Sequence, residues 1–250
     1  MKFSANLGFL WSELSLPDAI RAAKAAGFDA VECHWPYETP VQEVAAALVE
    51  TGLPMLGLNT SRGNVAAGDN GLAAIPYRIK EARAAIDQAI AYADGVGAGG
   101  IHVMCGFAEG LAARDTFVSN LGHACQNTAR TILIEPLNRH DAPGYFLQTT
   151  DQARAIIHAV GAPNLKLMFD CYHVGRTEGD VMTRLTDLQD IIGHIQFASV
   201  PTRGAPDQGE LNFAAIFDHI RDLGWDKPLG AEYKPGAATE RTLGWMKNYG

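Results

Sequence analysis

Apolar and polar positions alternate along the chain in two rhythms. Short apolar runs of strand length are separated by longer segments whose apolar residues recur at helical spacing. The predicted strands are Phe3 to Gly8, Ala30 to Trp35, Met55 to Asn59, Gly100 to Met104, Thr131 to Leu137, Leu165 to Asp170, Ile192 to Phe197 and Leu229 to Glu232. The predicted helices begin at Pro17, Val41, Pro76, Ala112, Thr149, Asp180, Phe213 and Glu240. Start and stop signals agree with this division: Thr149 or Thr150 as an N-cap, and glycines at 27, 52 and 161 as stops. A Gly- and Asn-rich stretch, Thr60 to Gly71, reads as a long loop over the third strand.

Eight strands strictly alternating with helices imply a parallel sheet. Most of the strands are continuous apolar runs, as strands buried on both faces should be. The chain has 250 residues, the usual size of one closed (β/α)8 TIM barrel, so a single domain over residues 1–250 is expected. No GxGxxG follows the first strand, so a dinucleotide-binding sheet lacks its fingerprint.

In such a barrel the reacting groups lie at the C-terminal ends of the strands. Four oxygen-bearing side chains close apolar runs there: Glu135, Asp170, Gln196 and Glu232. Each stands about one strand–helix–strand step from the next. Three carboxylates gathered at one rim repel one another unless something positive lies between them. An all-oxygen set suits a hard divalent ion, Mg²⁺ first and Mn²⁺ as the alternative, and not a structural zinc. The plainer reading is that each acid caps the next helix or pairs with an arginine. His194 falls one layer below Gln196 and reads as a core histidine. His102, mid-strand, can line the pocket or pack in the core. His173, three residues after Asp170, stands at the loop edge where it can donate to a substrate oxygen.

Charge and cysteine usage narrow the class. The net charge of −8 argues against nucleic acid, whose phosphates require clustered Lys and Arg. Four cysteines without a CxxC pair point to free thiols, and no apolar run reaches the ~20 residues of a membrane helix. A cytoplasmic protein, with a homo-oligomer left open, is the expectation.

Taken together, Leu133-Ile134-Glu135-Pro136-Leu137-Asn138, Phe169-Asp170-Cys171-Tyr172-His173, Gly193-His194-Ile195-Gln196 and Glu232-Tyr233-Lys234-Pro235 resemble the hydroxypyruvate isomerase family of xylose-isomerase-like barrels. The similarity runs from about Phe3 to Trp245. It implies a divalent metal on Glu135, Asp170, Gln196 and Glu232, with Glu135 and Glu232 as proton donor and acceptor. It also implies substrate contacts from His173 and Arg203. Arg203 is the first candidate for a substrate carboxylate and Lys234 the second; His102 is a further pocket candidate. The expected reaction interconverts hydroxypyruvate and tartronate semialdehyde through an enediolate. A 2-oxo-tetronate isomerase and a ketose 3-epimerase share the chemistry, and a non-catalytic sugar-binding barrel is a distant alternative. Which glutamate abstracts the proton stays open. The loop Ser61-Arg62-Gly63-Asn64-Val65 departs from a more familiar Pro-Gly-Asp-Trp type, and Gly106 to Arg130 is short for the family; both bear on the substrate rather than the metal.

Overall fold

The apolar runs become strands and the periodic segments become helices. The computed structural model describes residues 1–249. The strands are β1 (Phe3–Asn6), β2 (Ala30–Glu32), β3 (Gly57–Asn59), β4 (Gly100–His102), β5 (Thr131–Ile134), β6 (Leu165–Asp170), β7 (Ile192–Phe197) and β8 (Leu229–Ala231). Between them run α1 (Leu16–Ala25), α2 (Val41–Thr51), α3 (Ile79–Val96), α4 (Gly110–Asn127), α5 (Thr150–Val160), α6 (Cys171–Thr177), α7 (Val181–Leu188) and α8 (Phe213–Asp222), with α9 (Met246–Tyr249) at the end. All paired strands are parallel, in the order β2-β1-β8-β7-β6-β5-β4-β3. Between β2 and β3 the ring is joined by Val31 beside Met55, where the Leu56 amide donates to Val31 O at 2.7 Å. The result is a (β/α)8 barrel.

Local chemistry explains the helix boundaries. Ser15 Oγ accepts from the Asp18 amide and opens α1; Thr149 does the same for α5 from Gln152. Gly52 and Gly161 end α2 and α5 in the left-handed conformation that glycine adopts at least cost. Aromatic rings fill the layer between β-barrel and helices on one side. Trp245 meets Phe3 at 4.9 Å and Phe197 at 5.4 Å between ring centroids, so the C-terminal segment is anchored on β1 and β7.

Two elements differ from expectation. The helix expected over Glu240 to Lys247 is a 3-10 helix, Thr239–Trp245, continued by the short α9. Thr239, Thr242 and Gly244 are weak α-formers, and Thr242 Oγ1 donates to Thr239 O at 2.8 Å, which favours the tighter turn. The other difference is α6, which starts directly on Asp170 with no loop between. The long loop over β3 is also more ordered in its packing than its composition suggests. It carries a 3-10 turn, Val65–Ala67, and Asp69 ties it together by accepting from the Asn64 amide and from Arg78 at 2.7 Å each.

No helix among the described residues is long and apolar enough to cross a membrane.

Candidate active site

Seven of the eight strands carry a polar group at or beside the C-terminal end, at or just beneath one mouth. Asn6 ends β1, Glu32 ends β2, His102 ends β4 and Asp170 ends β6; Gln196 lies one residue before the end of β7. Glu135 and Glu232 stand one residue beyond β5 and β8. All seven are buried. Asp170 and Gln196 are direct neighbours in the β6–β7 register. Of the residues singled out from sequence, Glu135, Asp170, Gln196, Glu232, His173, Arg203 and His102 are brought together here. Lys234 is not: its side chain is exposed, and its main-chain N–H donates to Arg203 O at 2.7 Å. Through that main-chain bond Lys234 ties down the Arg203 loop.

The two glutamates are in opposite states. Glu232 is held on both oxygens. Oε1 accepts from Asn6 Nδ2 at 2.9 Å and lies 3.0 Å from His34 Nε2, while Oε2 pairs with Arg203 Nη2. Burial alone would keep its proton on, but Arg203 and His34 outweigh burial and bring the carboxyl down to about 2. Glu135 has no such partners. Its Oε2 is 3.7 Å from His102 Nδ1, and its Oε1 is buried with no hydrogen bond. Burial, with Glu232 and Asp170 nearby, pushes the Glu135 carboxyl well above the usual range. Asp170 lies between these extremes: burial raises it to about 7, against the pull of Arg203. One of its oxygens does cap a helix, accepting from the Tyr172 amide at 2.9 Å, while Oδ2 has no hydrogen bond. The capping reading thus accounts for one oxygen of Asp170 and leaves the other without a partner.

Arg203 corrects part of the charge argument. The carboxylates already have a buried cation among them: Arg203 Nη2 pairs with Glu232 and lies 3.6 Å from Asp170 Oδ2. Its guanidinium also stacks 4.7 Å from the Phe9 ring and 5.0 Å from Tyr172. The backbone at Arg203 is left-handed (φ 58°), a conformation held by the bonds from Arg203 N to Ser199 O and from Lys234 N to Arg203 O.

The proton on His173 is fixed by its neighbours. Asn138 Oδ1 accepts from the amides of His140 and Asp141, so Asn138 Nδ2 must face the other way. There it donates to His173 Nδ1 at 2.8 Å, and the Asn138 main-chain N–H donates to the same atom at 3.0 Å. Burial and Arg203 bring His173 down to about 3, so the ring is neutral and carries its hydrogen on Nε2. That Nε2 sits 3.8 Å from Glu135 Oε1 and 3.6 Å from Asp170 Oδ2. The three ligand atoms are close enough to hold an ion between them. With Nε2–H as the donor, however, His173 is a hydrogen-bonding group and not a ligand. The oxygens that fit a cation are those buried without a partner: Glu135 Oε1, Asp170 Oδ2 and Gln196 Oε1. His102 is also neutral, lowered to about 4 by burial, and its Nε2 is unpartnered.

Three residues of this site went unnoticed in the sequence: Asn6, Glu32 and His34. His34 was within reach of the same reasoning, since it stands near the end of the Ala30 to Trp35 run as Glu135 stands near the end of its own. Arg62 stacks 3.8 Å from the centre of the Trp35 ring, which in turn packs 4.9 Å from His34. His194, read as a core histidine, is buried and bonded to Glu32.

Comparison with known proteins fits this geometry. Residues 20–249 match the model of the xylose isomerase-like TIM barrel family. The chain belongs to that family. It is 44% identical to the 2-oxo-tetronate isomerase of Cupriavidus necator, covering 99% of this chain and 98% of that protein. Identity to the hydroxypyruvate isomerase of Escherichia coli is 36%, covering 100% and 99%. A crystal structure from Brucella melitensis, titled AP endonuclease, family 2, superposes with a TM-score of 0.95 at 35% identity, covering 99% of this chain and 98% of that one.

Proposed function

We propose that this protein, an isomerase of the xylose isomerase-like family, interconverts hydroxypyruvate and tartronate semialdehyde with the help of one divalent cation. The observation that carries the reading is the set of buried, unpartnered oxygens on Glu135, Asp170 and Gln196, next to the charged Glu232. Such oxygens are costly to bury unless a partner arrives. Glu135, Asp170, Gln196 and Glu232 would hold Mg²⁺ or Mn²⁺. When bound, that ion would polarise the substrate carbonyl and ease the negative charge that develops as the neighbouring carbon loses its proton.

The chain's own groups divide the remaining work. Glu135, with its raised affinity for a proton, takes the hydrogen from C3 of hydroxypyruvate and returns it to C2. Glu232 stays ionised, since Arg203, His34 and Asn6 hold both its oxygens. His173 Nε2–H donates to a substrate oxygen and steadies the hydroxyl and carbonyl as they exchange roles. Arg203 spends Nη2 on Glu232, and its Nη1, with no partner among the described residues, faces the task of binding the substrate carboxylate.

This asymmetry favours isomerisation over epimerisation. An epimerase needs a proton carrier on each face of the carbon, whereas here one glutamate is set up to carry a proton and the other to remain charged. A second reading, 2-oxo-tetronate as the substrate, is favoured by the 44% identity to the Cupriavidus necator enzyme. A nuclease reading, suggested by the Brucella melitensis title, finds no support in the charge of −8.

The deciding experiment is a substrate panel: hydroxypyruvate, 2-oxo-tetronate and C5–C6 ketoses, each with MnCl2 and with chelator. Metal-dependent turnover of hydroxypyruvate is expected. Faster turnover of 2-oxo-tetronate would move the assignment to the second reading, and equal rates with chelator would end the metal reading.

A further inference from the structure

Glu32 takes no part in the chemistry above, yet it is bonded to three side chains of the barrel interior. It is buried beneath the mouth, where Gly230 makes room for it: a Cβ on residue 230 would stand 2.4 Å from Glu32 Oε1 and 2.8 Å from Gln196 Cγ. Glu32 Oε1 accepts from Gln196 Nε2 at 3.1 Å and from Asn6 Nδ2 at 3.3 Å. Its Oε2 is bonded to His194 Nε2.

An amide has one oxygen and one NH2, and Gln196 can turn only one of them toward the mouth. Glu32 Oε1 accepts and does not donate, so it draws the nitrogen to its own side. Gln196 Oε1 is left facing away, buried and without a partner. Asn6 is fixed in the same sense, because its Oδ1 accepts from the Gly8 amide at 2.9 Å. Its NH2 therefore serves Glu32 Oε1 and Glu232 Oε1 together.

We propose that Glu32 is the positioning residue of the cation site: it sets the Gln196 amide so that oxygen and not nitrogen meets the cation, and through Asn6 it holds Glu232 in place. This rests on the metal reading above. A neutral amide at position 32 would accept as well as donate, so either orientation of Gln196 would be satisfied and the oxygen would no longer be guaranteed. Partners of this kind typically govern about 10–100-fold in metal affinity.

The test compares Mn²⁺ binding by calorimetry in the chelator-treated protein, E32Q and the exchanged pair E32Q/Q196E, with melting curves alongside. E32Q is expected to bind Mn²⁺ about 10–100-fold more weakly. The exchanged pair is expected to recover affinity, since a carboxylate at 196 offers only oxygen and Gln at 32 can donate to it. Equal affinity in E32Q and the unmodified protein overturns the inference, as does failure of the exchanged pair to recover. If the unmodified protein binds no Mn²⁺, the metal reading itself falls and takes the inference with it. A measurement needing no variant is the NMR signal of the Gln196 side-chain NH2. Slow exchange with solvent, with and without Mg²⁺, is expected; rapid exchange overturns the assignment.

Discussion

Glu135→Gln is expected to lower kcat by about 10²–10⁴-fold at saturating substrate and MnCl2, the usual worth of a positioned acid–base group. The reason is the contrast between two buried carboxyls that face one barrel mouth from β5 and β8. Glu135 is raised by burial beside Glu232 and Asp170 and has no hydrogen bond to its Oε1. It is the member of the pair that holds a proton more readily, whereas Glu232 is kept charged by Arg203 and His34. Gln keeps the shape and removes both the negative charge and the exchangeable proton. The fold should not suffer, because in the metal-free protein Glu135 repels its neighbours and gains little. Exchange of the substrate's C3 hydrogen with D2O is the second readout, and it should fall in step with kcat. Turnover within tenfold of the unmodified enzyme would show that another group carries the proton.

Arg203→Met should destabilise the metal-free protein by about 3–5 kcal/mol at neutral pH, the cost of stripping the cation from a buried pair. Arg203 is largely buried and touches Glu232 directly, with Asp170 at 3.6 Å. The pH profile gives a sharper test than the size of the loss. Glu232 is depressed from an ordinary 4.5 to about 2. A depressed carboxyl stabilises the fold above its unfolded value and loses that contribution as pH falls through the folded one. The stability supplied by Glu232 is therefore present above about pH 4.5 and lost between there and about pH 2. Without Arg203 this acid-side loss should flatten. Urea titrations across that range would show it, and an unchanged slope would mean that Arg203 does not hold Glu232 charged. Turnover by Arg203→Met should fall as well, through a raised KM for any substrate bearing a carboxylate.

Much of this arrangement was legible in the chain itself, for physical reasons. A barrel strand is short, apolar and followed by a helix, so each strand end is marked where the apolar run breaks. Glu135, Asp170, Gln196 and Glu232 stand at such breaks, and their alignment follows from topology. Glu32 was hidden because it lies inside Ala30 to Trp35, where the run continues to a Trp; β2 stops at Glu32 since the following residues leave the sheet to form the mouth. Asn6 was hidden because an amide four residues into the first strand carries no local signal. Its function depends on Glu232, 226 positions away. The helix α6 was missed because Asp170 is both strand end and helix cap, and seven residues give too little periodicity to read. The protonation of His173 could not be read either, as it follows from a chain of bonds through Asn138.

Anomalous diffraction from a crystal soaked in MnCl2 bears most directly on whether Glu135, Asp170, Gln196 and Glu232 share one ion. A single peak at coordinating distance from oxygens of all four, with His173 Nε2 outside the shell, is the expected result. A peak bound through His173, or no peak at the barrel mouth, would contradict it.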